Sequence, residues 1–116
     1  YYGNLDLERI RILDDVFRGY HREISQGIVA ERLKISVRQL NRIVRKHWGT
    51  TFKQKYIMSR MELATSLLES LDTLSIDEIA QKLNFSSNQY FSNVFKKYHG
   101  ISPNEYRKIH KLKKEG

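Results

Sequence analysis

The chain has 116 residues, 40% of them hydrophobic, enough for one modest core or for two small ones that share an element. It contains no cysteine, which excludes disulfides and thiolate chemistry and would leave zinc only histidine and carboxylate as ligands. Its formal charge is +8, no apolar run approaches the roughly 18 residues of a membrane span, and the opening YYGNLDLERI has no signal-peptide pattern, so no membrane partner and a cytoplasmic location are expected.

The first predicted element is a helix over Leu5–Ile24, with Ile10, Leu13, Val16 or Phe17, Tyr20 and Ile24 at three- and four-residue spacing. Its other face (Arg9, Arg11, Asp14, Asp15, Arg18) mixes signs and reads as solvated surface. Adjacent Asp14 and Asp15 point about 100° apart on a helix and make a poor catalytic pair.

Val29, Ala30 and Leu33 then mark a short helix, with Lys34 and Ile35 at a turn. Ser36 opens a second helix that faces Leu40, Ile43 and Val44 inward, and Gly49 closes it. Ser36 with Gln39 has the spacing of a capping box. The same spacing recurs in Thr51/Gln54, Ser75/Glu78, Ser86/Gln89 and Ser102/Glu105, the last with Pro103 at the first helical position. An all-α fold of about seven helices follows.

A long linker helix is expected over Thr51–Leu71, with Phe52, Ile57, Met61, Ala64, Leu68 and Leu71 on one face. Leu74–Leu83 is a further short helix. Ser86–His99 is a longer one with Tyr90, Phe91, Val94, Phe95 and Tyr98 apolar, and the spacing of these aromatics, with Phe85, favours core packing over base stacking. A last helix runs from Ser102 to about Leu112 with Tyr106 and Ile109, followed by a frayed tail over 113–116. The expected organisation is a first helix-turn-helix subdomain over 5–49, a linker over 50–72 and a second subdomain over 73–112.

The two subdomains repeat one pattern. Ala30, Leu33, Ile35 and Ser36 match Ala80, Leu83, Phe85 and Ser86 at an offset of 50. After a one-residue insertion in the second turn, Leu40, Ile43, Val44, Arg45, Lys46, Gly49 and Thr51 match Phe91, Val94, Phe95, Lys96, Lys97, Gly100 and Ser102 at 51. Charge follows the repeat. Residues 34–60 carry +8 with no acid and residues 81–116 carry +6, against −1 for 1–33 and −5 for 61–80. Charge segregated onto two helix-turn-helix patterns points to nucleic acid; a solvated basic surface would scatter it.

Ile79-Ala80, Asn84-Phe85, Tyr90-Phe91-Ser92-Asn93, Phe95-Lys96-Lys97, Gly100, Ser102-Pro103 and Glu105-Tyr106-Arg107 together resemble the signature of the AraC/XylS-type bacterial transcription regulators. Ser36, Leu40, Arg42, Gly49, Phe52, Arg60, Glu62 and Ala64 are similar in the first half, and the resemblance spans about residues 5–110. It implies two helix-turn-helix subdomains joined by a long helix. It also implies sequence-specific duplex DNA as the partner and a place as the C-terminal output of a larger regulator. RNA polymerase and a separate N-terminal sensor or dimerisation domain are the further partners expected, with action at the nucleoid, often as an activator.

Two recognition helices, Ser36–Trp48 and Ser86–His99, would enter successive major grooves roughly 34–36 Å apart. In the first, Arg38, Asn41 and Arg42 are candidate base contacts, because Arg can grip guanine and Asn adenine with two hydrogen bonds. Arg42 has phosphate binding as its alternative, and Arg45 and Lys46 are candidate phosphate contacts. In the second, Asn88, Gln89, Ser92 and Asn93 are the base candidates, with Gln89 alternatively completing a capping box. Asn93 departs from the family, which often has a basic residue there. Lys96 and Lys97 are backbone grips, and the helix starts at Thr51 and Ser102 are expected to offer free N–H groups to phosphates.

Lys55 stands where the family usually has an aromatic, and Lys34 where Gly or Asn is commoner, which would force a positive φ on a lysine. No cofactor, metal site or enzyme activity is expected: His21, His47, His99 and His110 form no i,i+3 or i,i+4 pair, and no phosphate loop or nucleophile elbow is present. The alternative reading is a basic helical domain that binds nucleic acid or anionic surfaces without sequence preference.

Overall fold

A computed structural model of the chain describes residues 4–19, 24–70 and 73–115. Among them are seven α-helices and no strand: α1 (Asn4–Arg18), α2 (Gln26–Arg32), α3 (Val37–Trp48), α4 (Phe52–Ser70), α5 (Ile76–Lys82), α6 (Asn88–His99) and α7 (Pro103–Glu115). The helices form two compact units, Tyr1–Ser59 and Arg60–Gly116. The division falls inside α4, which contributes its first residues to one unit and its later residues to the other.

In the first unit, Ile10, Leu13 and Phe17 of α1 close over Val29 and Ala30 of α2, Leu40, Ile43 and Val44 of α3, and Phe52 of α4. Phe17 is the hub, with its ring 5.2 Å from Trp48 and 5.3 Å from Phe52. Lys55 fits here without an aromatic ring of its own, because its Nζ lies 5.9 Å from the Phe17 centroid and 5.8 Å from that of Trp48, over both rings. Helix α1 is shorter than its periodicity suggests. It ends at Arg18 against Gly19, a poor helix former, and Ile24 is buried beyond it in non-helical chain. Tyr20 lies outside the described residues, as does Leu71 at the far end of the linker.

The second unit is built on Met61, Ala64, Leu67 and Leu68 of α4, Ile79 and Ala80 of α5, Leu83, and Phe91 and Phe95 of α6. Tyr90 and Tyr98, expected in this core, are instead 47% and 46% exposed, since the buried stripe of α6 is no wider than Phe91 and Phe95. Ile109 also faces outward at 44% exposure. Helix α7 continues through the lysine-rich end to Glu115 where a frayed tail was expected; lysine is a good helix former. It is held to α4 at Glu69, whose Oε1 accepts from Tyr106 Oη at 2.7 Å and also meets His110 Nε2. Arg107 Nη1 donates to Leu74 O at 2.6 Å. Burial, then the hydrogen bond and charge of Glu69, push the Tyr106 phenol up to about 12.

The two turns are copies of one another. After α2, Ile35 N donates to Ala30 O and Lys34 N to Glu31 O, both at 3.0 Å; after α5, Phe85 N donates to Ala80 O and Asn84 N to Gln81 O, again at 3.0 Å. These pairs are Schellman closures, and each needs a left-handed residue, supplied by Lys34 at φ 58° and Asn84 at φ 69°. Lys34 therefore does carry the positive φ expected of it. Ser36, Thr51 and Ser75 each form the expected reciprocal box, with Gln39, Gln54 and Glu78. The Ser75 backbone amide and hydroxyl hold the Glu78 carboxyl below its ordinary value.

One cap differs. Helix α6 is capped by Ser87, not Ser86: Ser87 Oγ accepts from Tyr90 N at 3.0 Å. The extra residue of the second turn therefore precedes the cap, and Ser36 corresponds to Ser87 at the same offset of 51 as the rest of the helix.

Candidate nucleic-acid interface

With Ser36 and Ser87 aligned, α3 and α6 correspond residue by residue. Leu40 and Val44 match Phe91 and Phe95, all fully buried, and Gly49 and Gly100 close both helices at φ 77° and 82°. Positions 38, 42 and 45 lie opposite the buried stripe, and so do 89, 93 and 96. Arg38, Arg42, Arg45, Gln89, Asn93 and Lys96 are all exposed, and among the described residues none of their side chains has an internal hydrogen bond. Lys46 and Lys97 are exposed on the same helices, one position further on. Asp6 of α1 joins Arg42, Ile43 and Lys46 around a shallow cavity, and its carboxylate is already paired with Arg9 at 3.4 Å.

Moving the cap to Ser87 changes the standing of Gln89. At the second helical position it cannot complete a capping box, and its amide is left to solvent. The place of Gln39 is taken by Tyr90, whose ring meets Phe85 at 5.5 Å.

Asn41 is different. Its Oδ1 accepts from Phe52 N at 2.9 Å, and its Nδ2 donates to Gln26 Oε1 at 3.0 Å and to Val37 O at 3.1 Å. Asn41 thus ties α3 to the starts of α2 and α4, and the amide expected to face a base is engaged within the protein. Gln26 had no part in the sequence reading, because nothing local links residues 15 apart. In α6 the Ser92 hydroxyl donates to Asn88 Oδ1 at 3.0 Å, which leaves the Asn88 amino group and the Ser92 lone pairs for other partners.

The helix starts are less open to phosphate than expected. Gln54 N is taken by Thr51 Oγ1 and Glu105 N by Ser102 Oγ, Phe52 N is taken by Asn41, and Pro103 has no N–H. Among the described residues, the amides of Lys53 and Asn104 are left at these ends without an internal partner. No group of three or more metal-ligating side chains occurs among the described residues, and no described helix is long and apolar enough to cross a membrane.

Residues 29–109 match the family described as a helix-turn-helix domain. The C-terminal domain of the response regulator AraT of Geobacillus stearothermophilus superposes with a TM-score of 0.78 at 32% identity, covering 92% of this chain and 86% of that one. This chain belongs to the AraC/XylS family. The regulator GlxA of Rhizobium meliloti is 33% identical over 99 residues, which are 85% of this chain and 30% of that protein. The DNA-binding domain of AdpA, solved in complex with a target DNA, gives a TM-score of 0.81 at 27% identity and 96% coverage of both chains. As an AraC/XylS-type domain the chain is a DNA-binding unit of the transcription-regulator kind, not an enzyme. It spans about a third or less of the length of the curated relatives it matches.

Proposed function

We propose that the chain is the DNA-reading part of a bacterial transcription regulator that places α3 and α6 in successive major grooves of one duplex. The observation that carries this reading is the matched pair of exposed polar ridges, 38/42/45 and 89/93/96, on helices whose opposite faces carry the buried Leu40, Ile43 and Val44 and the buried Phe91 and Phe95. Arg38, Arg42, Gln89 and Asn93 contact base edges, with Asn88 and Ser92 beside them; Arg45, Lys46, Lys96 and Lys97 hold phosphates, assisted by the helix starts at Thr51 and Ser102. RNA polymerase and a sensor or dimerisation domain elsewhere in the full regulator are its protein partners. It acts at the nucleoid in the cytoplasm, and recruitment of polymerase would make it an activator. Two unlike helices on one chain suit an asymmetric site rather than a palindrome.

An electrophoretic shift with competitors tests the reading. A selected duplex should outcompete random duplex, RNA and anionic vesicles, and equal competition by all four would refute it in favour of non-specific binding. Arg42→Ala should relax preference at one base pair, whereas Lys97→Ala should weaken every sequence alike and reduce the salt slope by about 1.

A further inference from the structure

We propose that the two recognition helices read chemically unlike bases: Arg38 and Arg42 direct one half of the site to guanine, and Gln89 and Asn93 direct the other half to adenine. The inference rests on the DNA-reading function proposed above and adds the class of base each half takes. Once Ser36 and Ser87 are aligned, Arg38 matches Gln89 and Arg42 matches Asn93, so equivalent reading positions carry opposite chemistry. A guanidinium has only donors. It fits the two acceptors, O6 and N7, on the major-groove edge of guanine and is opposed by the amino group of adenine. A carboxamide has donors and an acceptor, which fit N7 and N6–H of adenine. Each pair is four residues apart, one helical turn, so both members of a pair face the same groove edge.

The neighbours of these residues keep the division clean. Asn41 would be an adenine reader within the guanine half, but both hydrogens of its Nδ2 are spent on Gln26 and Val37, and its oxygen holds the Phe52 N–H. It positions α3 and reads nothing. The second half confirms the need it serves: Phe52 corresponds to Pro103, which has no N–H to satisfy, and Asn41 corresponds to the short Ser92. Gln89 is also free of the capping duty that Gln39 performs in α3.

Selection of bound duplexes from a random library, using residues 1–116, tests this directly. The expected result is one block with preferred guanines and a second with preferred adenines. Arg38→Ala and Arg42→Ala should each lower a guanine preference roughly 5- to 150-fold, and Gln89→Ala and Asn93→Ala an adenine preference by a similar factor. Asn93→Arg should convert one adenine position to guanine. Asn41→Ala should lower Tm and leave the selected sequence unchanged, and Asn41→Asp, which keeps the acceptor for Phe52 N–H but loses the donor bonds to Gln26 and Val37, should recover only part of the lost Tm. Enriched blocks of the same base class, blocks insensitive to these four residues, or a base preference lost in Asn41→Ala at unchanged Tm would overturn the division while leaving the DNA-reading function standing. A pool with no enriched sequence would overturn both.

Discussion

Replacing Lys34 should make the first unit more stable. Lys34 sits at φ 58° because the turn after α2 closes by two 3.0 Å bonds, Ile35 N to Ala30 O and Lys34 N to Glu31 O, that exist only with a left-handed residue between them. That conformation costs a residue with a Cβ about 1–2 kcal/mol. Lys34→Gly removes the cost but adds about 0.4–1 kcal/mol of freedom to the unfolded chain. Lys34→Asn relieves part of the strain without that penalty and reproduces the residue at the matching position, Asn84 at φ 69°. Either change should stabilise by roughly 0.5–1 kcal/mol, or about 2–8 °C in Tm for a unit of this size. The single tryptophan, Trp48, packs against Phe17 in the same unit, so its fluorescence during urea or thermal unfolding reports the right transition. An unchanged or lowered midpoint in both variants would show that the lysine bears no strain and that the account of the turn is wrong.

Ser87→Ala should cost about 1 kcal/mol by uncapping α6, whereas Ser86→Ala should stay within about 0.5 kcal/mol of the parent in the same urea titration; the reverse order would reinstate Ser86 as the cap. Phe95→Ala, at a fully buried site, should cost about 3–5 kcal/mol, measured by circular dichroism at 222 nm, and a smaller loss would mean that the second core collapses onto the space. The raised Tyr106 phenol sets an alkaline limit. Because the folded form keeps the proton up to about 12 and the unfolded form loses it near 10.0, the contribution is complete below pH 10 and disappears as pH climbs from 10 to 12. Tyr106→Phe should flatten that part of the stability profile, and identical slopes in the two proteins would rule out the buried Tyr106 phenol as its source.

Much of the fold was legible because capping and burial are local signals. Ser36, Ser75, Gly49 and Gly100 mark their helix ends by residue type alone, and Leu40, Ile43 and Val44 declare the inner face of α3 by spacing. The misread features all depend on a choice that residue type leaves open. Ser86 and Ser87 offer the same oxygen one residue apart, and the Schellman closure at Asn84 and Phe85 fixes where the chain straightens, which selects Ser87. Tyrosine suits a core or a surface equally, and the width of the buried stripe put Tyr90 and Tyr98 outside. In the interface, the exposed ridge of arginines was readable from helical geometry, but Asn41 was not. Two of its three partners are 11 and 15 residues away, and asparagine looks the same whether it waits for a base or holds another helix.

The amide of Phe52 has a consequence for how such a reader can change its target over time. A nitrogen that must be given an acceptor pins residue 41, since a substitution without an oxygen at that height strands the start of α4. Proline at 103 lifts the same demand from the second helix, and residue 92 is left free to drift. In the proposed reading both halves can be retargeted by single substitutions, at 38 and 42 or at 89 and 93, but residue 41 is barred from joining the readers of α3 whereas residue 92 can join those of α6.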